Sequence, residues 1–211
     1  MPAGEDSLAR RRHVCSRVIP QSRDSLTQQL DLEKIFGRRA PLHVDLGCGE
    51  GSFLCTLAER LPDKNFLGIE RLLGRIRSSA RKAASLGNVL LLQMESSYAV
   101  HYLLPVGSVE TFYLLFPDPW PKRRHHRRRI VTPDFLNSVY ITLQMNGVIY
   151  TATDHLDYST RISRLAEESS LFAFMQPSGE DDFPASAFEK KFASTGARIY
   201  RLELRKVSPV M

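Results

Sequence analysis

The sequence predicts an α/β domain, a mostly parallel seven-stranded sheet with helices on both faces. Three observations predict it. From Pro41 onward, short apolar runs alternate with amphipathic stretches, the pattern of crossover units joining parallel strands. A glycine-rich turn, VDLGCGEG, follows the first apolar run and opens onto a helical pattern, as in sheets that hold a ligand across the carboxyl ends of their strands. At 211 residues and 43% hydrophobic, the chain has the length for one full core and too much apolar content for wholesale disorder.

Residues 1–40 show little sustained period and carry Arg10, Arg11, Arg12, Arg38 and Arg39; they read as a basic arm with a short helix near 25–36, ahead of a domain spanning 41–211. The strands predicted next are LHVDLG (42–47), NFLGIE (65–70), NVLLLQM (88–94), VETFYLLF (109–116) and GVIYTATD (147–154). The helices between them are GSFLCTLAERL (51–61), RLLGRIRSSARKAASLG (71–87), PDFLNSVYITLQM (133–145) and LDYSTRISRLAEESS (156–170). FAFMQ (172–176), a helical SAFEKKFAS (186–194) and RIYRLELRK (198–206) complete the chain, the two strand-like runs forming a pair that closes one sheet edge.

The formal charge of +6 leans towards a polyanionic partner. Cys15, Cys48 and Cys55 lack CxxC spacing, which suggests neither a disulfide framework nor a zinc site. Cys48 reads as a small packing residue. No apolar run approaches the roughly 20 residues that cross a bilayer, and the N-terminus lacks the apolar core of a secretory signal, so the expected place is the cytoplasm.

In the glycine turn, Asp45 precedes Gly47, Gly49 and Gly51, and a helix follows. Glycine permits close backbone approach, and the helix start offers free N–H groups. The third glycine comes one residue earlier than in the dinucleotide pattern GxGxxG. Glu70 ends the next strand, where a carboxylate accepts hydrogen bonds from ribose hydroxyls. An acidic rim suits a cationic ligand better than a pyrophosphate.

The second motif is FPDPWPKRRHHRRRI (116–130). Pro117, Pro119 and Pro121 fix φ at alternate positions and hold Asp118 at a strand exit facing the same crevice as the glycine turn. Asp118 is a candidate for contact with cofactor and substrate; the alternative is a local turn residue. Lys122, Arg123, Arg124, Arg127, Arg128 and Arg129 form a concentrated phosphate-binding surface. Trp120 either stacks on a base or packs on the domain. His125 and His126 have no third ligand at metal spacing, so no metal is expected.

VDLGCGEG followed by GIE resembles the class I S-adenosylmethionine-dependent methyltransferases, with their Rossmann-like fold. FPDPWPKRRHHRRRIV is similar to the signature of the tRNA (guanine-N7)-methyltransferase family, F-P-D-P-W-x-K-x-x-H-x-x-R-R. Asp118, Lys122, His125, Arg128 and Arg129 stand at its spacings. TATDHLDY resembles the T-D-x-x-x-Y segment through Asp154 and Tyr158. Ser186, Ala187, Phe188 and Glu189 stand where the family shows T-x-F-E, serine keeping the hydroxyl.

The resemblance covers about residues 41–206 and implies transfer of a methyl group from S-adenosylmethionine to guanine N7 in tRNA, at position 46 of the variable loop. It implies a cofactor site of Asp45, Gly47, Gly49, Gly51, Glu70, Glu95, Ser96 and Asp118, the last also catalytic. Substrate contacts fall to Lys122, Arg127, Arg128, Arg129, Asp154, Tyr158, Ser186, Phe188 and Glu189. The partner is tRNA, with no membrane or metal, and the protein is a monomer, a weak homodimer being the alternative. Asp154 has a second reading as a helix N-cap. Two rivals are a class I methyltransferase acting on a small molecule or protein, and an RNA-binding module on a degenerate cofactor fold. The first leaves the cationic corner unexplained, and the second leaves the intact acidic and glycine positions unexplained.

Overall fold

A computed structural model describes residues 17–20, 28–175 and 196–208. Its centre is set by two strands, β1 (Leu42–Leu46) and β2 (Asn65–Glu70), which are buried at every position. Strands covered on both faces need apolar side chains in both directions, which is why these runs read as nearly continuous hydrophobic sequence. β3 (Val89–Gln93), β4 (Val109–Leu115) and β5 (Leu143–Thr153) complete a parallel set. β6 (Phe172–Met175) pairs antiparallel with β7 (Tyr200–Lys206), and β7 pairs antiparallel with β5. The sheet order is β3-β2-β1-β4-β5-β7-β6, so the predicted final pair does close one edge.

Alternation along the strands sorts side chains into two cores. Val44, Leu67, Ile69, Phe112 and Leu114 share one core with residues from the α5 (Pro133–Thr142) and α6 (Leu156–Ser169) helices. On the other face Phe66, Leu91 and Tyr113 pack with residues of α2 (Ser52–Arg60) and α3 (Leu73–Lys82). Between β3 and β4 lies an element the sequence reading left out. It is a short helical segment, Ser96–Tyr98, that runs on as a π-helical turn, Ala99–Leu103; together they are α4. Its buried face is Ala99, Val100 and Leu103, too few positions to show a helical period.

The helix predicted over 133–145 ends at Thr142, and β5 begins at Leu143. Leu143 pairs with Val109 and is fully buried, while Asn146 takes a left-handed φ of 62° ahead of Gly147. A backbone reversed there belongs to an irregular strand entry, and tertiary burial outweighs the helical pattern of LQM. At the N-terminus, the described part of the expected helix is Leu32–Phe36 (α1), capped by Asp31 and ended by Gly37 at φ 66°.

The described residues 17–19 of the arm lie against the domain. Ile19 donates to the Leu91 carbonyl at 2.8 Å, and Leu91 donates to that of Arg17 at 2.8 Å, laying residues 17–19 along the open edge of β3. An uncovered edge would leave those β3 groups unpaired. No helix among the described residues is long and apolar enough to cross a membrane.

Asn88 joins the α2 end to the sheet. Its buried amide donates to the carbonyls of Ala58 at 2.9 Å, Lys64 at 3.2 Å and Leu61 at 3.4 Å. Asn88→Ala removes the donor to the Ala58 carbonyl, while Lys64 keeps Arg38 and Leu61 keeps the Lys64 N–H, and should cost about 1–3 kcal/mol in urea unfolding. An unchanged midpoint would show that water replaces the amide at no cost.

Candidate active site

The strand order diverges at β1, whose next strand in sequence lies on one side while β4 lies on the other. That is where a doubly wound sheet opens a crevice at its carboxyl ends. Gly47 and Cys48 both donate to the Ile69 carbonyl, at 2.8 and 3.0 Å, which folds the glycine turn over β2. Ser79 of α3 clamps the turn by donating to the Gly49 carbonyl at 2.8 Å. Gly51 has φ 74°, and a Cβ there would lie 2.8 Å from the Ser79 hydroxyl oxygen, so glycine is required twice over. A Cβ on Gly47 would meet nothing, which leaves the turn open towards the crevice.

Three acids stand on this rim. Asp45 is 3% exposed and accepts no hydrogen bond from the described residues. Burial, with the nearby charge of Glu70, pushes its carboxyl up to about 7. Glu70 is buried at the end of β2; one oxygen accepts from the Leu72 N–H at 2.8 Å, and the other lies 3.7 Å from Arg75. Asp118 follows β4, is exposed, and makes no hydrogen bond to the described residues, so the local turn role is not the one it takes.

The corner carrying Asp118 holds more than prolines. Phe116 and Trp120 take left-handed φ values of 51° and 41°, conformations that cost about 1–2 kcal/mol each for residues with a Cβ. Phe116 is fixed by donating to the Ala152 carbonyl at 2.7 Å, which ties the corner to β5. Lys122 then leads into a 3₁₀ turn, Arg123–Arg128, that exposes Arg123, Arg124, Arg127 and Arg128. Trp120 is packed rather than free: His125 meets it edge-on at 5.8 Å, and the Arg128 guanidinium lies 4.9 Å from its ring centre.

Comparison with known proteins fits this arrangement. A family model described as "Putative methyltransferase" matches residues 39–202. The tRNA (guanine-N(7)-)-methyltransferase of Thermotoga maritima is 36% identical over 183 residues, which are 84% of this chain and 58% of that protein. Its counterpart in Alkalilimnicola ehrlichii is 34% identical over 186 residues, 85% of this chain and 78% of the relative. The chain belongs to the tRNA (guanine-N7)-methyltransferase family. Among solved structures, the 16S rRNA methyltransferase KamB is similar with a TM-score of 0.64 at 14% identity, over 85% of this chain and 95% of that one, which establishes the class I Rossmann-like fold.

Two of the substrate residues expected from the family pattern are placed elsewhere. Arg129 is 5% exposed, against the exposed Arg127 and Arg128, and reaches the surface only where all three line the cavity beside α4. It donates to the Pro119 carbonyl at 2.8 Å, pairs with Asp157 at 2.5 Å, and lies 4.7 Å from the centre of the Tyr158 ring. Its guanidinium therefore braces the corner, with its charge taken by Asp157. The bond from Arg129 holds the Asp157 carboxyl below its ordinary range. Tyr158 is fully buried, its hydroxyl accepts from the Val131 N–H at 3.3 Å, and burial raises its phenol above its ordinary range. It supports Arg129 from below and faces no substrate surface.

Asp154 follows β5 beside the Asp118 corner; His155 holds the N-cap position, without a side-chain capping bond, so the N-cap reading of Asp154 does not hold. Glu95 caps α4 through the Ser97 and Tyr98 N–H groups, at 3.1 and 2.9 Å, and Ser96 begins the helix. Ser186, Phe188 and Glu189 lie outside the described residues. Cys48 is buried against Gly68, and burial with the charges of Asp45 and Glu70 pushes its thiol well up, as suits a packing residue. Among the described residues, no three or more His, Cys, Asp or Glu side chains are grouped to hold a metal. Sequence reasoning missed Ser79 and Asp157, because neither carries a local pattern and each acts only through a distant partner.

Because the native Asp45 carboxyl binds its proton up to about pH 7, the fully favourable state lies below the ordinary carboxylate range and is lost as pH rises through 7. Asp45→Asn removes that dependence. Relative to the variant, the ligand-free protein should lose on the order of 3 kcal/mol of stability between pH 4 and pH 8, read from urea titrations. A stability difference that stays flat over that range would contradict the assignment.

Proposed function

We propose that this protein transfers a methyl group from S-adenosylmethionine to N7 of a guanine in tRNA, at position 46 of the variable loop. The observation that carries this reading is the rim itself. Asp45, Glu70 and Asp118 stand at the carboxyl ends of neighbouring strands, and an exposed block of cations begins four residues after Asp118. The names of the relatives in Thermotoga maritima and Alkalilimnicola ehrlichii support the same substrate.

The donor set fits the cofactor. Asp45 is a buried carboxyl without a partner, suited to an ammonium group, and the open face of Gly47 leaves room for a ligand against the backbone. Glu70 would hold ribose hydroxyls, and Glu95 and Ser96 would border the adenine. When bound, S-adenosylmethionine supplies a methyl group already activated on a sulfonium centre.

The chain's own work is then positioning. Guanine N7 carries a lone pair and no proton, so no strong base is called for. Asp118 and Asp154, at the exits of adjacent parallel strands, hold the base edge and stabilise the positive charge that develops on the ring. Lys122, Arg127 and Arg128 grip the flanking phosphates, since folded RNA is read largely by shape and backbone. The family pattern assigns Ser186, Phe188 and Glu189 to the same pocket. One copy of the chain supplies every residue in this account.

Asp118→Ala should abolish methyl transfer to unmodified tRNA, measured with labelled donor, while S-adenosylhomocysteine still raises the melting temperature. Turnover near that of the parent protein would end the role given to Asp118. Transfer to protein or small molecules but never to tRNA would favour the rival enzyme class.

The surface arginines and the brace should separate experimentally. Replacing Arg127 and Arg128 with Ala should lower the salt dependence of tRNA binding by about one to two logarithmic slope units and leave the melting temperature unchanged. Arg129→Ala should lower the melting temperature instead. If all three acted alike on salt dependence, the division drawn between them would fail.

A further inference from the structure

A cavity of about 540 Å³ lies between α4 and the basic turn and meets the proposed cofactor site at Glu95. Pockets of roughly 300–1,000 Å³ are of a size to hold small organic ligands. One wall is aromatic. Tyr98 and Tyr102 lie with ring centres 4.7 Å apart, and His101 meets Tyr102 edge-on at 4.3 Å. The facing wall carries Arg127, Arg128 and the inner Arg129, and the carboxylates Glu95 and Asp134 also stand in the lining.

Two features of these walls are unlike ordinary surface. Tyr102 is 51% exposed although the same helix has apolar positions fully buried one residue away at Leu103. Arg127 makes no ion pair with the described residues, and Arg128 is held only by its contact with Trp120. The aromatic wall is also stiffened from behind. Ser138 donates its single hydroxyl hydrogen to the Asp134 carbonyl at 2.9 Å, so it accepts from Nδ1 of His101 at 2.8 Å and fixes that ring. An open π face set against Arg127 and Arg128, which form no ion pair with the described residues, is the chemistry that takes a nucleobase and its phosphate together.

We infer that this cavity holds a second, unstacked nucleobase of the RNA, from a nucleotide flanking the methylated guanine. The inference rests on the tRNA reading above and deepens it. Both walls lead to the same rim: α4 follows directly from the carboxyl end of β3, and the basic turn follows the corner of Asp118. A nucleotide beside the target, once drawn out of its stack, meets Tyr102 as a replacement stacking surface and Arg127 or Arg128 as its counterion. The cavity thereby fixes the register of the RNA, so that the base presented to Asp118 is the intended one.

The test pairs protein and RNA changes in the full-length chain. Tyr102→Ala should raise KM for a tRNA transcript about tenfold with kcat little changed, and Tyr102→Phe should restore it, because the ring face and not the hydroxyl carries the contact. Transcripts made abasic at either neighbour of the methylated guanine complete the cycle. One of them should cost the parent protein a similar factor and cost Tyr102→Ala nothing further.

Equal KM values for parent and Tyr102→Ala would overturn the inference while leaving the methyltransferase reading intact. So would abasic penalties that add in full to the Tyr102→Ala penalty. If the parent protein transferred no methyl group to tRNA, that reading would fall instead. Filter retention of the same transcripts would then judge the cavity alone: weaker retention by Tyr102→Ala supports it and equal retention refutes it.

Discussion

The structure is organised around one unresolved charge, the carboxyl of Asp45 at the end of the central strand. Its neighbours β2 and β4 close both sides, so water does not solvate it, and burial holds its proton to about pH 7. A buried carboxyl is tolerable as a neutral acid or beside a cation, and costly otherwise. The surrounding turn withholds any partner of its own. Gly47 offers no side chain, Ser79 gives its hydroxyl hydrogen to Gly49, and Glu70 adds charge of the same sign. In the proposed function a cationic ligand would complete what the fold leaves unsatisfied, and its entry would favour release of the proton.

The contrast with His43, two residues earlier on the same face of β1, makes the point sharper. His43 is also buried, yet both ring nitrogens are matched, one to the Tyr113 hydroxyl at 3.0 Å and one to Glu110 at 2.8 Å. Burial lowers the affinity of that imidazole for a second proton. Burial also works against ionisation of Glu110, but its bonds to Lys64 and His43 outweigh it and hold the carboxyl below its ordinary range. At the amino end of the strand every polar group is answered within the chain. At the carboxyl end the Asp45 carboxyl accepts no hydrogen bond from the described residues, a difference that supports the cofactor site proposed there.

How much of this was legible depends on the distance over which each residue acts. Strand and helix identities followed from periodicity, and the glycine turn and the proline corner were readable because their chemistry is local. Failures arose where a residue's role is set by a partner remote in sequence. Arg129 is one of five arginines in the block, and nothing in RRHHRRR separates it from Arg128; only Asp157 and Pro119, brought together by folding, do so. Tyr158 matched a family pattern but serves as the floor under that guanidinium. The end of α5 was misplaced because LQM continues a helical pattern that the pairing of Leu143 with β4 overrides. The aromatic wall of α4 was missed because only a short helix carries it.

The corner poses a last question, which is why Asp118 pairs with none of the described residues when six basic residues follow it within eleven positions. In a flexible loop, a carboxylate and so many cations would find one another. Here three prolines limit the backbone, and the left-handed turns at Phe116 and Trp120 reverse it twice before the cations begin. The far end of the block is then pinned back by Arg129 to the Pro119 carbonyl, with Asp157 taking its charge. Asp157 thus supplies the anion that this arginine would otherwise find in Asp118. One guanidinium is thereby paired within the corner, and the Asp118 carboxylate is left without a bond to the described residues at the rim, where positive charge would develop on the guanine ring in the proposed reaction.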